Sequence, residues 1–249
     1  QLFASVEGCF DEIHVTDTGS TDGSKEWVLE KGQEFAKCPV HLHHFEWVNS
    51  FAKARNYSFS HATTDYIAWA DLDDCLSDKE AFIQWKKYAM EFSDCFFATY
   101  HYALDKDKKP IISFVRERVF KRSLNPQWQY DLHEGIVLKP EWSKDYATSW
   151  SILHMRTAED VAADKSRNIK ILEQLKDKEG LPTRLKFYYG KELYEATNDL
   201  IERVYLTRMK GNYWCDTRIN LERYLSCFRI KSVKPGENCT YEVWDRVLF

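Results

Sequence analysis

Five acidic residues in two short stretches carry the clearest chemistry in this chain: Asp17-Thr18-Gly19-Ser20-Thr21-Asp22-Gly23 and Trp69-Ala70-Asp71-Leu72-Asp73-Asp74. Each stretch follows a short apolar run that reads as a buried strand. Each sets carboxylates at that strand's carboxyl end, the edge where open α/β sheets bind ligands. A D-x-D pair such as Asp71 and Asp73 can hold a divalent cation against a diphosphate. Hard cations take oxygen ligands, and magnesium-type ions share theirs with substrate phosphates. Together the two stretches point to an activated, nucleotide-linked substrate.

The elements that must position these residues follow from periodicity. Ile13 and Val15 alternate with polar neighbours into Asp17, as a strand does. Gly19 and Gly23 punctuate the turn, Asp22 is a candidate N-cap, and a helix over 24–31 is expected to stop at Gly32. Val40, Leu42 and His44 alternate as a second strand. A helix from about Ser50 to Ala62 follows, with Phe51, Ala54, Ser58 and Ala62 on one face. Residues 66–70 are apolar without alternation, the pattern of a central parallel strand covered on both faces. Strand, helix, strand, helix, strand with short connections predicts a doubly wound α/β layout. Residues 79–92 read as a further helix, and 95–104 with 111–120 as an antiparallel hairpin around Asp105-Lys106-Asp107-Lys108-Lys109. Short strands are expected near Gly135–Leu138 and Trp150–His154. From residue 157 the spacing turns helical over 158–178, 184–209 and 214–230, which predicts a helical appendage to a catalytic domain spanning 1–156.

Composition narrows the class. A chain of 249 residues, 44% apolar and 30% charged, can bury a full core as an ordinary globular protein. Its net charge of −4 argues against a nucleic-acid partner, which calls for a basic stripe. No apolar run reaches the ~18–20 residues of a membrane span, and no signal peptide opens the chain. The seven cysteines are scattered and never spaced C-x-x-C, so reduced thiols in a cytoplasmic setting are expected rather than zinc or disulfides. His41, His43 and His44 look metal-like, but strand alternation splits them between two faces, so a structural role is expected.

With these motifs in order, the chain resembles family 2 glycosyltransferases of the GT-A fold, a Rossmann-like mixed α/β sheet flanked by helices. Within that family it is most similar to the subgroup with tetratricopeptide-like helices behind the catalytic domain. The likeness runs through Asp11-Glu12-Ile13 into Asp17–Gly23, Phe51-Ala52-Lys53-Ala54-Arg55-Asn56, and Asp65 to Asp74. It continues through Leu132-His133-Glu134, His154, Lys165-Ser166-Arg167-Asn168 and Phe187 to Tyr194. The family pattern opens with a further strand ahead of Asp11. Here the chain begins at about the first helix, Leu2 to Cys9, so a truncated N-terminus is expected.

The resemblance implies a role for each site residue. Asp17 would accept a hydrogen bond from the nucleotide base, the competing reading being a turn-forming Asp bonded to local backbone. Arg55 would reach the same pocket with its fork suited to carbonyl or phosphate oxygens. Asp71 would touch ribose or metal, and Asp73 would hold Mn²⁺ or Mg²⁺ against the diphosphate, with His154 approaching that metal from the acceptor side. Glu134 would take the acceptor hydroxyl proton in an inverting transfer, with His133 orienting it or acting in its place. The implied partners are a nucleoside-diphosphate sugar, a carbohydrate or glycoconjugate acceptor, and a protein bound through the helical tail. Two rivals stand beside this reading. A nucleotidyltransferase would carry a Gly-rich basic loop after its first strand, which is not visible here. A non-catalytic interaction module would have no need of the intact D-x-D and His133-Glu134.

Overall fold

The computed structural model describes residues 1–156, 167–176, 181–196, 207–209, 212–215, 229–232 and 239–242. The chain divides into two units, Gln1–Thr157 and Ala158–Phe249.

The first unit opens with a short helix α1 (Leu2–Ser5) and strand β1 (Ile13–Asp17), which pairs in parallel with β2 (Val40–His44). Between them runs α2, built of Ser24–Trp27, a π turn over Val28–Gly32, and Gln33–Ala36. Gly32 therefore does not end the helix as its type suggested. It sits inside the π turn, where a β-carbon would lie 3.3 Å from Val40 Cγ1 and 3.4 Å from Phe3. The glycine serves close packing, and the helix ends instead at Lys37 in the left-handed region. The residue before the helix is Gly23, and Asp22, one residue before that cap position, accepts from the Ser24 amide.

Helix α3 (Phe51–Ser60) starts where Ser50 accepts from the Lys53 amide, a side-chain N-cap that satisfies one orphan donor. Strands β3 (Tyr66–Ala68) and β4 (Asp74–Leu76), helix α4 (Lys79–Ala89), strands β5 (Cys95–Leu104) and β6 (Pro110–Lys121), the short pair β7 (Trp128–Gln129) and β8 (Gly135–Ile136), and β9 (Lys144–His154) complete the unit. The main sheet has the order β3-β6-β5-β9-β4, with β5 and β9 parallel and the other pairs antiparallel. A mixed α/β sheet with flanking helices is what the sequence predicted. The placing of residues 66–70 is corrected: β3 is an edge strand whose one ladder partner, β6, runs antiparallel to it.

Alternation along β5 divides the interior. Phe96, Ala98 and Tyr100 face a core with Val6, Leu76, Phe82, Val119, Trp150 and Ile152, while Cys95 faces a second core with Ala52, Phe120, Trp128 and Trp142. Phe96 and Phe120 are fully buried, each stabilising the fold by about 1.5–3 kcal/mol. The ladder has one irregularity that matters for the site. Phe96 pairs with Val119 but Phe97 pairs with Glu117, so Arg118 is an extra, bulged residue in β6. Such a bulge re-aims a side chain locally.

In the second unit, residues 167–176 form helix α5 and Thr183–Ala196 helix α6, tied by Asn168 Nδ2 donating to Glu192 Oε1 at 3.0 Å. Residues Thr207–Met209, Asn212–Cys215, Arg229–Ser232 and Cys239–Glu242 form an antiparallel sheet, β10 to β13, in the order β10-β11-β13-β12. Helix is found where expected from 184 to 196, whereas among the described residues 207–209, 214–215 and 229–230 are strand where helical spacing was read. Met209 pairs with Asn212 in the antiparallel register of β10 and β11. The remainder of the expected helix over 158–178, most of 214–230, and Lys165 and Ser166 lie outside the described residues. Among the described residues no helix is long and apolar enough to cross a membrane.

Candidate active site

The turn between β3 and β4 brings the acidic motif to the sheet end. Asp74 donates its amide to the Asp71 carbonyl at 2.9 Å, and Asp74 Oδ2 accepts from the Asp71 amide at 3.1 Å, which closes the turn on itself. The Asp73 carbonyl accepts from the Met155 amide at 2.7 Å, so the turn is pinned to the end of β9.

Two chains of charge leave this turn. In the first, Arg55 on α3 lies between carboxylates, with Nη2 2.7 Å from Asp71 Oδ1 and Nε donating to Glu134 Oε1 at 2.7 Å. Its guanidinium also covers Trp69 at 4.8 Å and Trp128 at 5.0 Å. Burial alone would lower the pKa of Arg55, but Asp71 and Glu134 together outweigh it and hold the group above its ordinary value. Glu134 is delivered by the loop from β7 to β8, in which Tyr130 and His133 adopt positive φ, 70° and 51°. That loop is anchored at both sides of α3. The Phe51 amide donates to the Asp131 carbonyl at 2.8 Å, and the Asn56 side chain bonds both the Trp128 amide and carbonyl, at 2.8 and 3.0 Å.

The second chain is buried. Asp74 is 0% exposed, and its two oxygens accept from Tyr100 Oη (3.1 Å), Arg118 Nη1 (3.1 Å) and the Asp71 amide, with His154 Nδ1 also at 3.1 Å. Burial pushes the Asp74 carboxyl upward, but His154, Arg118 and the Asp71 amide overcome it and keep the group below its usual range. The Arg118 guanidinium, 1% exposed, is sandwiched between Trp69 at 3.8 Å and Tyr100 at 4.4 Å. Its Nε and Nη2 find no hydrogen-bond partner, so the aromatic faces are their cover.

Asp73 differs from its neighbours. Its carboxylate is 39% exposed, with His154 Nδ1 at 3.6 Å and Arg156 Nε at 3.9 Å. Burial raises its pKa most; His154 opposes this, and Asp71 and Asp74 add to it. Ligand atoms of Asp73, Asp74 and His154 all lie within 4.8 Å of one another, the one such metal-competent group among the described residues. The structure thus brings Asp73 and His154 together across 81 residues, while Asp71, expected to touch ribose or metal, pairs with Arg55. Asp74 already accepts from three donors and touches His154 Nδ1 besides, so its chemistry here is to hold others in place.

The remaining expected residues sit apart. Asp17 ends β1 with its carboxylate on its own turn, accepting from the Gly19 and Ser20 amides at 3.0 Å. Burial would raise its pKa, but the Ser20 and Gly19 bonds prevail and lower it. That is the turn-forming arrangement weighed above. Arg55, expected to share a pocket with Asp17, reaches Asp71 and Glu134 instead. Residues that sequence reasoning passed over are Arg118 and Tyr100, which no local motif marks, and Trp69, whose place two residues before the acidic run was a usable signal. The histidines of β1 and β2 also gain a setting: His41 and His43 both stack on His14, and His43 stacks on His61 at 3.7 Å between centroids. His44 points the other way, 3.9 Å from Asp17.

The first unit thus combines a mixed α/β sheet, an acidic turn at a strand end and a histidine beside it. The family model for glycosyl transferase family 2 matches residues 2–137. This chain belongs to that family. Among curated relatives it is 24% identical over 219 residues to the SPbeta prophage-derived glycosyltransferase SunS of Bacillus subtilis (strain 168), covering 84% of this chain and 49% of that protein. A shorter stretch of 74 residues is 35% identical to a TPR repeat-containing protein of Synechococcus elongatus, covering 30% of this chain and 17% of that protein. The chain spans about half the length of SunS. Among solved structures, S. aureus TarS 1-349 in complex with UDP aligns with a TM-score of 0.39 and 12% identity, over 80% of this chain and 67% of that one. HddC from Yersinia pseudotuberculosis aligns at 0.40 and 8%, over 61% and 76%.

Proposed function

We propose that this protein transfers a sugar from a nucleoside-diphosphate donor to a hydroxyl-bearing carbohydrate or glycoconjugate, with inversion and with help from a divalent cation. The observation that carries the reading is the half-exposed Asp73 carboxylate beside His154, inside a turn crowded with acids. Neighbouring carboxylates raise each other's pKa unless a cation or proton compensates them. Membership of glycosyl transferase family 2 supports sugar transfer as the chemistry. Asp73 and His154 would hold the cation. Carboxylate suits Mg²⁺ and Mn²⁺, and an imidazole in the set favours Mn²⁺. When bound, the cation supplies charge neutralisation for the departing diphosphate.

The chain's own residues divide the rest of the work. Arg55 holds Asp71 and Glu134 to one guanidinium, which places the loop over 130–134 beside the acidic turn. Glu134 is the proposed base for the acceptor hydroxyl, with His133 next to it in a left-handed backbone conformation, a strain that active-site loops often hold. Asp17, at the end of β1, shapes the turn that would face the nucleotide base. A helix pair in the second unit, reminiscent of tetratricopeptide hairpins, would offer the surface for a protein partner.

The test is a thermal-shift titration with UDP, GDP, CDP, dTDP and ADP, with and without Mn²⁺, followed by nucleotide release from the matching sugar donors. A ligand that binds only the native state raises apparent stability by mass action. One nucleoside diphosphate is expected to stabilise the chain in a Mn²⁺-dependent way, and Asp73→Asn to abolish release without lowering the melting temperature. Metal-independent release, or near-normal release by Asp73→Asn, removes the metal assignment. Failure of every diphosphate to bind removes the transferase reading.

A further inference from the structure

The hairpin of β5 and β6 outruns the strands beside it. In the parallel ladder His101 lies opposite Leu153, so Tyr102 stands level with His154, where β9 ends and meets Asp74 of β4. β5 continues to Leu104, and β6 returns from Pro110. The ladder to β6 skips Tyr102, because His101 pairs with Ser113 and Ala103 with Ile112. Tyr102 is thus a bulged residue, a position that re-aims its side chain. Its ring lies nearly parallel to the His154 imidazole, at 5.5 Å and 12°, and packs on Phe114 at 5.7 Å. His154 in turn lies 3.6 Å from Asp73. Both aromatic rings stay open to solvent, Tyr102 44% and Phe114 40% exposed. Strand alternation puts Ile112, 50% exposed, on the side of Phe114, so apolar surface leads outward along the hairpin from beside Asp73. Contiguous exposed apolar surface at the rim of a polar site marks a place where a ligand packs.

We propose that Tyr102 and Phe114 form a stacking platform for a pyranose ring of the acceptor and so select which acceptors reach Asp73. The proposal rests on the sugar-transfer reading and narrows its acceptor to carbohydrates that present a flat face of C–H groups. An aromatic ring has a negative face and a positive edge. The axial C–H groups of a pyranose carry weak positive charge and pack on that face, while its equatorial hydroxyls stay in water or reach the Tyr102 phenol. An open-chain polyol offers the same hydroxyls without the flat C–H face. The occupant is the acceptor rather than the donor sugar because the apolar strip opens to solvent and runs outward along a hairpin. A donor sugar is held instead through its diphosphate at the acidic turn.

Saturation-transfer difference NMR of the full chain tests this with methyl β-glucopyranoside, cellotetraose and sorbitol as probes, and it reads weak binding directly. The two saccharides are expected to receive saturation, strongest on the C–H protons of one ring face, and sorbitol to receive none. Tyr102→Leu and Phe114→Leu keep apolar bulk at exposed positions but remove the ring, and each should weaken saccharide affinity by about 2–12-fold, the range of one aromatic contact. Tyr102→Phe keeps the ring and should keep most of the affinity. Equal saturation of sorbitol, unchanged affinity in both leucine variants, or no saturation of either saccharide by the wild-type chain overturns the inference. The transferase reading is judged separately, by the thermal shift with nucleoside diphosphates and Mn²⁺. Saccharide binding at Tyr102 and Phe114 without any such shift would overturn that reading and leave a carbohydrate-binding platform.

Discussion

Replacing Arg55 with alanine should destabilise the first unit more than any other substitution on the surface of α3. The side chain makes two charge-assisted bonds, to Asp71 and Glu134, each at 2.7 Å. The Glu134 carboxylate is mostly buried, so its bond contributes about 1.5–3 kcal/mol. Asp71 is 37% exposed and rehydrates when freed, which reduces its share to about 0.2–1 kcal/mol. The two tryptophan faces, at 4.8 and 5.0 Å, contribute about 0.5–1 kcal/mol each. The expected loss is about 4 kcal/mol, a fall in Tm of about 8–16 °C for a unit of this size. Arg55→Lys keeps the charge but not the fork and should lose about half as much. Urea unfolding of the full chain measures the loss, and a double-mutant cycle with Glu134→Gln isolates the pair, expected to couple by more than about 1 kcal/mol. A loss below about 1 kcal/mol for Arg55→Ala, or no coupling, would refute the view that this guanidinium ties α3, the acidic turn and the Glu134 loop together.

Three further outcomes are expected. Glu134→Gln should cut turnover by about 10²–10⁴-fold with donor binding nearly unchanged; normal turnover would move the base to His133. Arg118→Met leaves Asp74 buried without its counter-charge and should cost about 3–5 kcal/mol, read as a lower urea midpoint, and an unchanged midpoint would show that the pair does not matter to the fold. The imidazole layer between α3 and the strands β1 and β2 should make the protein acid-sensitive. Burial first, then His61, His14 and His41, hold His43 below its ordinary 6.5, with Glu12 beside His14 and Tyr57 against His61 also facing the layer. A depressed histidine stabilises the fold above the unfolded value, and that contribution is lost as pH falls through about 6.5 towards the folded value. Tm should therefore drop between pH 7.5 and 5.5, and drop less in His43→Phe; equal drops would contradict it.

Local pattern was enough for much of this protein. The strand at Ile13–Asp17, the helix beginning near Ser50, the hairpin of β5 and β6, and the acidic turn at Asp71–Asp74 all follow from short-range chemistry: alternation, helical spacing and the placement of polar groups at strand ends. The side-chain period of two also separated His41 and His43 from His44. That Thr207–Met209, Asn212–Cys215 and Arg229–Ser232 are strands was not legible, because mixed aromatic and polar residues fit helical spacing as well as strand pairing until a partner strand is present. Tertiary structure alone decided the partnerships. Arg118 became a buried counter-ion because a bulge in β6 re-aimed it, and His154 met Asp74 because two strands distant in sequence adopted one register. Arg55 meets both Asp71 and Glu134 because the loop from β7 to β8 docks on α3. The residue types were set by sequence, but which charge faces which depends on register and bulges, and those are settled only when distant strands pair.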